Sequence, residues 1–140
     1  QLEITEGSAL QHTEPTLGVL QALRDLGVRI AIDDFGIGYA SLANLRTVPV
    51  DALKIDRSFV RALGRSERDD AFVASIVTMA HGLDLPVIAE GVERDEQRDA
   101  LARLGCDGAQ GYLFSPPLAA DACSMLLEES RQPWRKEAGS

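Results

Sequence analysis

The feature that most constrains this chain is a recurrence. Short apolar runs each end on or beside an ionisable or amide residue, and longer helical patterns separate them. Leu2-Glu3-Ile4-Thr5 reads as a first strand. Val28 to Ile32 reads as a second, stopping at Asp33-Asp34, and Ala52 to Ile55 as a third, ending at Asp56. Val87 to Ala89, ending at Glu90, and Gly108 to Tyr112 complete the set. Between them, Thr13 caps a helix with Pro15 in its first turn, and Leu17, Leu20, Leu23 and Leu26 recur at helical spacing until Gly27. A short helix is expected near Ser41 to Arg46, and a longer one from Asp70 to Ala80, closed by Gly82. Asp95 caps a helix running to Leu104 with Gly105 as its stop, and Ala119 to Glu129 is the last helix.

Strands alternating with helices predict an α/β fold with a parallel sheet and right-handed crossovers. The polar residues choose between an open sheet and a barrel. Glu3, Asp33, Asp34, Lys54, Glu90 and Gln110 all fall at or near the C-terminal ends of predicted strands. In a TIM-type (β/α)8 barrel those ends converge on one face, where active sites sit. A complete barrel has eight strands in about 250 residues. About five βα units are counted here, so roughly three are expected before Gln1, and the chain reads as a barrel truncated at its N-terminus. Residues 1–130 are read as that domain and residues 131–140 as a polar tail.

Of the 140 residues, 45% are hydrophobic and 26% charged, which fits a soluble globular domain. No apolar run approaches the ~20 residues of a membrane helix, and no basic segment followed by an apolar core opens the chain. No membrane contact is expected of this segment, and a cytoplasmic location is. The net charge of −8 argues against binding a nucleic-acid polymer. It leaves room for a small phosphate substrate met through divalent cations held by carboxylates. Cys106 and Cys123 lack metal-ligand spacing and are expected to be buried or half-buried thiols. His12 and His81 form no pair, and His81 before Gly82 suits a cationic helix terminus.

Adjacent acids repel in a dry site unless a cation compensates. Successive strand residues point to opposite faces, so Asp33 and Asp34 reach one site only if the backbone turns there. Phe35-Gly36-Ile37-Gly38 can supply that turn, though Asp-Asp before a glycine loop is also ordinary turn chemistry. Glu90 alone would be a solvated strand end, Lys54 alone a surface lysine, and Gln110 alone a satisfied rim amide. Together with the paired aspartates, Lys54 and Glu90 make an acid/base and metal set, and Gln110 could orient a water or a phosphate. The glycine loop lacks the spacing of a P-loop or dinucleotide fingerprint and suits a mobile loop with glycine hinges.

Five segments resemble those of one family. Asp33-Asp34-Phe35-Gly36-Ile37-Gly38-Tyr39-Ala40-Ser41-Leu42 resembles the DDFGTGYSSL loop of EAL domains, and Leu53 to Val60 their LKIDRSFV segment. Ala89 to Glu93 resembles AEGVE, Gln110 to Ser115 resembles QGYLFS, and Leu2 to Glu6 resembles LEITE. The resemblance covers residues 1 to about 128, in order. It implies a (β/α) barrel that hydrolyses cyclic di-GMP to linear pGpG with Mg²⁺ or Mn²⁺ at a two-metal site. It implies that Glu3 and Asp33 are metal ligands, that Asp34 serves a second metal, that Lys54 orients the attacking water and that Glu90 is the general base. Glu6 then anchors the glycine loop, and Glu93 and Gln110 position water or support its neighbours. Ile37 and Ala40 replace a Thr and a Ser of the family loop, with a modest effect expected. The Glu-Ala-Leu motif, its following Arg and an Asn metal ligand are expected upstream of Gln1.

The resemblance also implies a homodimer formed through the region Asp34 to Arg46, and a sensory or GGDEF-type domain upstream. A non-catalytic module that binds cyclic di-GMP or a protein partner is the alternative, supported by the missing strands. An unrelated metal-dependent barrel would need five motifs to match by chance. An open five-strand piece exposes sheet edges and apolar surface, so self-association is expected of the isolated chain.

Overall fold

The computed structural model describes residues 1–10, 14–38 and 45–129. The expected Thr13 cap, His12, most of the helix near Ser41 to Arg46 and the tail after Glu129 lie outside the described residues.

Five strands form one parallel sheet in sequence order: β1 (Leu2–Thr5), β2 (Ile30–Phe35), β3 (Ala52–Ile55), β4 (Val87–Ala89) and β5 (Gly108–Ala109). Among the described residues the helices are α1 (Glu6–Leu10), α2 (Glu14–Asp25), α3 (Arg57–Ala62), α4 (Glu67–His81), α5 (Asp95–Arg103) and α6 (Ala120–Glu129). Alternation along each strand divides two faces. Ile4, Ile30, Ile32, Leu53, Ile55, Val87 and Ala89 join the core cluster with Val73, Ile76, Val77 and Ala80 of α4 and Leu101 of α5. Glu3, Asp33 and Lys54 take the intervening positions on the opposite face. The central strand β3 is buried along its whole length, Lys54 included.

Three helices end in the same way. Val28 N–H reaches the Leu23 carbonyl, Leu85 N–H the Ala80 carbonyl and Cys106 N–H the Leu101 carbonyl, each with a left-handed residue just before the donor. These are Schellman turns, and each puts an apolar residue two positions ahead of the next strand. Gly27 and Gly105 take the left-handed position in two of them. In the third, Gly82 closes α4 as its C-cap, as the sequence suggests, but it is right-handed, and the left-handed position falls to Asp84 at φ 58°. A short aspartate tolerates that conformation through local hydrogen bonding.

The N-terminal end of the sheet carries a clasp that occurs twice. Asp51, just before β3, accepts from Ile30 N–H at 2.8 Å and pairs with Arg24 of α2 at 2.8 Å. Asp107, just before β5, accepts from Val87 N–H at 2.9 Å and meets His81 of α4 at 2.6 Å. A carboxylate thus ties the first N–H of the preceding strand to a cationic or imidazole group from that strand's own helix.

Several boundaries differ from those the sequence suggests. β2 begins at Ile30 and runs on to Phe35, with a bulge instead of a stop at Asp33-Asp34. β5 ends at Ala109 and not at Tyr112, because Gly111 lies against the Val92 backbone and Phe114 N–H turns back onto the Gly111 carbonyl. α4 starts at Glu67, where Ser66 caps the Asp69 N–H at 3.1 Å. Asp95 is the first residue of α5 rather than its cap. α1 and α3 have no counterpart in the sequence expectations. Cys106 is buried as expected, but Cys123 is exposed, because α6 packs none of its residues 120–128 into the core.

Candidate active site

β3 lies at the centre of the sheet, so Lys54 reaches groups on both sides. Its ammonium meets Glu3 of β1 at 2.8 Å, Asp33 of β2 at 3.3 Å, and Glu90 just past β4. The side chain of Lys54 is 3% exposed, against 25% for Asp33, 19% for Glu90 and 45% for Glu3. A buried lysine is tolerable only when paired. Burial works against its charge, but the hydrogen bonds it donates to Glu3 and Glu90 and the field of Glu90 and Asp33 outweigh it and hold the pKa above the ordinary lysine value. On the partner side, burial raises the Glu90 pKa; Lys54 opposes this and Asp33 and Glu3 add to it, so Glu90 stays above the ordinary carboxylate value.

The bulge in β2 answers how adjacent aspartates share a site. Register moves from Ile32 opposite Leu53 to Phe35 opposite Ile55, so β2 carries one extra residue. Asp34 absorbs it at φ 56°, in the left-handed region. The turn therefore lies within the Asp-Asp pair, one residue before the glycine loop expected to supply it. As a result, carboxylate oxygens of Asp33, Asp34 and Glu90 lie within 4.8 Å of one another. Hard oxygen donors at that separation match what a divalent cation takes.

In the sequence Asp56 is only a strand end without a role. It is buried, 8% exposed, and does two things. It caps α3 by accepting from Ser58 N–H at 2.8 Å, and it shares a hydrogen bond with Asp34. Burial opposes its charge, but the bonds from Ser58, Arg57 and Asp34 keep its pKa low. Desolvation, then Asp33 and Asp56, push the Asp34 pKa up, so any shared proton rests on Asp34. The signal that could have found Asp56 is the one that found the others, an acid at the C-terminal end of an apolar run.

Glu6, 4% exposed, opens α1 and accepts from Gly36 N–H at 2.9 Å and Gly38 N–H at 3.2 Å, bridging β1 to the glycine loop. A side chain at Gly38 would overlap that carboxylate. Glu93 is exposed, 3.9 Å from Arg61. Gln110 is also exposed; its N–H bonds the Ala89 carbonyl at 2.8 Å and its carbonyl accepts from Val92 N–H at 3.0 Å. The structure therefore brings Glu3, Asp33, Asp34, Lys54 and Glu90 together, with Asp56 added, and leaves Glu93 and Gln110 at the rim.

Comparison with known proteins bears on the family to which the fold belongs. The cyclic di-GMP phosphodiesterase NbdA of Pseudomonas aeruginosa is 46% identical over 138 residues, which is 99% of this chain and 17% of that protein. The chain thus spans about a fifth or less of the length of the first curated relatives it matches. The EAL domain of Mycobacterium smegmatis DcpA superposes with a TM-score of 0.85 at 44% identity, over 94% of this chain and 59% of that one. BlrP1 of Klebsiella pneumoniae, solved as a manganese/cyclic di-GMP complex, superposes with a TM-score of 0.74 at 40% identity, over 82% of this chain and 29% of that one. Such EAL domains are TIM-barrel-like, and the five-stranded parallel sheet with its helices has that architecture. With the EAL domain profile matching residues 1–117, the chain belongs to the EAL domain family.

Proposed function

We propose that this domain takes part in the metal-dependent hydrolysis of cyclic di-GMP to linear pGpG, in bacterial second-messenger signalling. The observation that carries the proposal is the buried Lys54 held by Glu3, Asp33 and Glu90, with Asp34 brought onto the same site by the bulge. Relatives whose names and structures involve cyclic di-GMP support the substrate.

In this reading Glu3 and Asp33 hold one divalent cation, and Asp34, with Asp56 beside it, serves a second; Mg²⁺ or Mn²⁺ suits the all-oxygen donors. Bound there, the cations would supply charge neutralisation at the phosphodiester and make water easier to deprotonate. Glu90 takes the proton of the attacking water, and its raised pKa brings it nearer the working range of a base. Lys54 orients that water and holds Glu90 in place. Hydrolysis opens one of the two phosphodiester bonds, and the proton passes to the departing 3′-oxygen. Glu6 anchors the glycine loop over the site through Gly36 and Gly38. Glu93 and Gln110 position water at the rim. A second copy of the domain, an upstream sensory or GGDEF-type domain and a cytoplasmic setting belong to the same proposal. No described helix is long and apolar enough to cross a membrane.

The test is hydrolysis of cyclic di-GMP with Mn²⁺, with pGpG separated by chromatography, for this chain and for the longer protein that carries it. Each is compared with its Glu90→Ala variant. Activity in the longer protein that Glu90→Ala abolishes supports the proposal. Binding of cyclic di-GMP without cleavage by either chain replaces it with the binding-module reading.

A further inference from the structure

The segment that carries Glu90 is clamped from several directions. Glu90 N–H bonds the Ile55 carbonyl at 3.1 Å, Val92 N–H the Gln110 carbonyl at 3.0 Å, and Leu113 N–H the Val92 carbonyl at 3.0 Å. Gly91 is left-handed at φ 67°, and a side chain there would meet Arg57. All of these ties are made by backbone. One side chain joins them. Gln97 of α5 is 3% exposed and uses both ends of its amide. Its oxygen accepts from Glu93 N–H at 2.9 Å and from Arg94 N–H at 3.0 Å, and its NH₂ donates to the Val60 carbonyl at 3.2 Å.

Those contacts connect the two segments that hold opposite halves of the candidate site. Val60 belongs to α3, which Asp56 caps just after the strand that bears Lys54. Glu93 and Arg94 end the loop that begins at Glu90. Gln97 therefore spans from the β3–α3 segment, bearing Lys54 and Asp56, to the β4–α5 segment, bearing Glu90. A buried amide satisfied on three backbone groups has little freedom to shift, and its loss would leave two N–H groups and a carbonyl without that partner.

We propose that Gln97 is a positioning residue that sets the spacing between Lys54 and Glu90 by tying their two loops together through backbone contacts. The inference deepens the hydrolase reading, and it is stated of this chain's own residues. It also predicts which half of the amide does what. Gln97→Glu keeps the acceptor and so keeps the Glu93 and Arg94 N–H groups, but loses the donor to Val60. Gln97→Met fills the same space and loses both.

The test uses hydrogen exchange by mass spectrometry on the intact protein, without and with Mn²⁺, for wild type, Gln97→Met, Gln97→Glu and Val73→Ala. Val73 is buried in the core on α4, which carries none of the candidate site residues, and controls for general loss of stability. Exchange in residues 90–94 is expected to rise about tenfold or more in Gln97→Met beyond any rise in Val73→Ala. In Gln97→Glu these residues should stay close to wild type while the last turn of α3 opens. Equal acceleration in Gln97→Met and Val73→Ala overturns the proposal, as does identical behaviour of the Met and Glu variants. A second readout, Mn²⁺ affinity by titration calorimetry, is expected to weaken about tenfold in Gln97→Met and by less in Gln97→Glu. If wild type takes up no Mn²⁺, the hydrolase reading fails, while the exchange comparison still decides whether Gln97 ties the loops.

Discussion

Replacing Lys54 with methionine removes one charge and keeps most of the side-chain volume, so its effect isolates electrostatics. The ammonium is 3% exposed and faces three carboxylates. At an effective dielectric of about 20, each close pair carries roughly 4 kcal/mol of gross attraction. Glu3, 45% exposed, is screened by solvent and adds little. Asp33 and Glu90 dominate, and removing one member of such a buried group typically destabilises by about 3–5 kcal/mol. At pH 8, Lys54→Met should therefore lose about that much in urea unfolding followed by far-UV circular dichroism.

Acidification should shrink this loss. Without Lys54 the carboxylates repel one another, and Glu90 loses the cation that opposes its upward shift. A raised pKa contributes stability that is fully present below the unfolded value, about 4 for these acids, and lost as pH rises through the folded value. Glu90 and Asp34 already lie on the raised side with Lys54 present. The penalty at pH 5 should be smaller than at pH 8 by about 1–2 kcal/mol, roughly one shifted carboxylate's worth. Mn²⁺ should also restore stability at pH 8, by about 2.7 kcal/mol at a hundredfold excess over its Kd. A penalty below about 1 kcal/mol at pH 8, or one equal at both pH values, would refute the reasoning, since the carboxylates would then be solvated independently of Lys54.

Two further outcomes concern groups away from the site. Burial pushes the Cys106 thiol from 9.0 up to about 11. A raised thiol stabilises the fold below the unfolded value and stops doing so through the folded one, so wild type should lose about 2–3 kcal/mol between those two pH values; Cys106→Ala should lack that slope, and an equal slope would rule out Cys106 as its source. At the other end of the sheet, Asp51→Ala and Asp107→Ala each strip a carboxylate from a strand N–H and its helix partner. Each should lower stability by about 1–3 kcal/mol in chemical unfolding, and a loss within 0.5 kcal/mol, about that of a neutral surface change, would show the clasps to be incidental.

Much of this was legible in the sequence because strands and carboxylates share one rule. β1, β3 and β4 were bounded correctly by apolar runs ending at a polar residue. The acids at those ends converge in space for the reason the barrel reading gives. What escaped notice depends on backbone detail. The bulge at Asp34 is one extra residue in β2, which no periodicity displays, so the strand looked as if it stopped. α3 is six residues long and too short to show a helical repeat. β5 was read too long because the contact of Gly111 with Val92, which turns the chain away, links residues far apart in sequence. Gln97 offered no signal beyond a polar residue near a helix start; only its three distant backbone contacts show what it joins.

The two ends of the sheet balance charge in opposite ways. At the N-terminal end, Asp51 meets Arg24 and Asp107 meets His81, and each carboxylate also holds a strand N–H. At the C-terminal end, Glu3, Asp33 and Glu90 meet the ammonium of Lys54, Asp34 lies beside Asp33 and Glu90, and Asp56 bonds Asp34. Five carboxylates cannot all ionise beside one cation without mutual repulsion. Proton uptake relieves part of it, which is the direction of the shifts at Asp34 and Glu90. A divalent cation would relieve more, and would draw those same groups back below their ordinary values. An end of a sheet that carries this imbalance costs stability that the opposite end does not, and the core under β3, buried along its whole length, has to supply the difference. That asymmetry is the strongest physical reason to look for a cation, and for chemistry, at the C-terminal end alone.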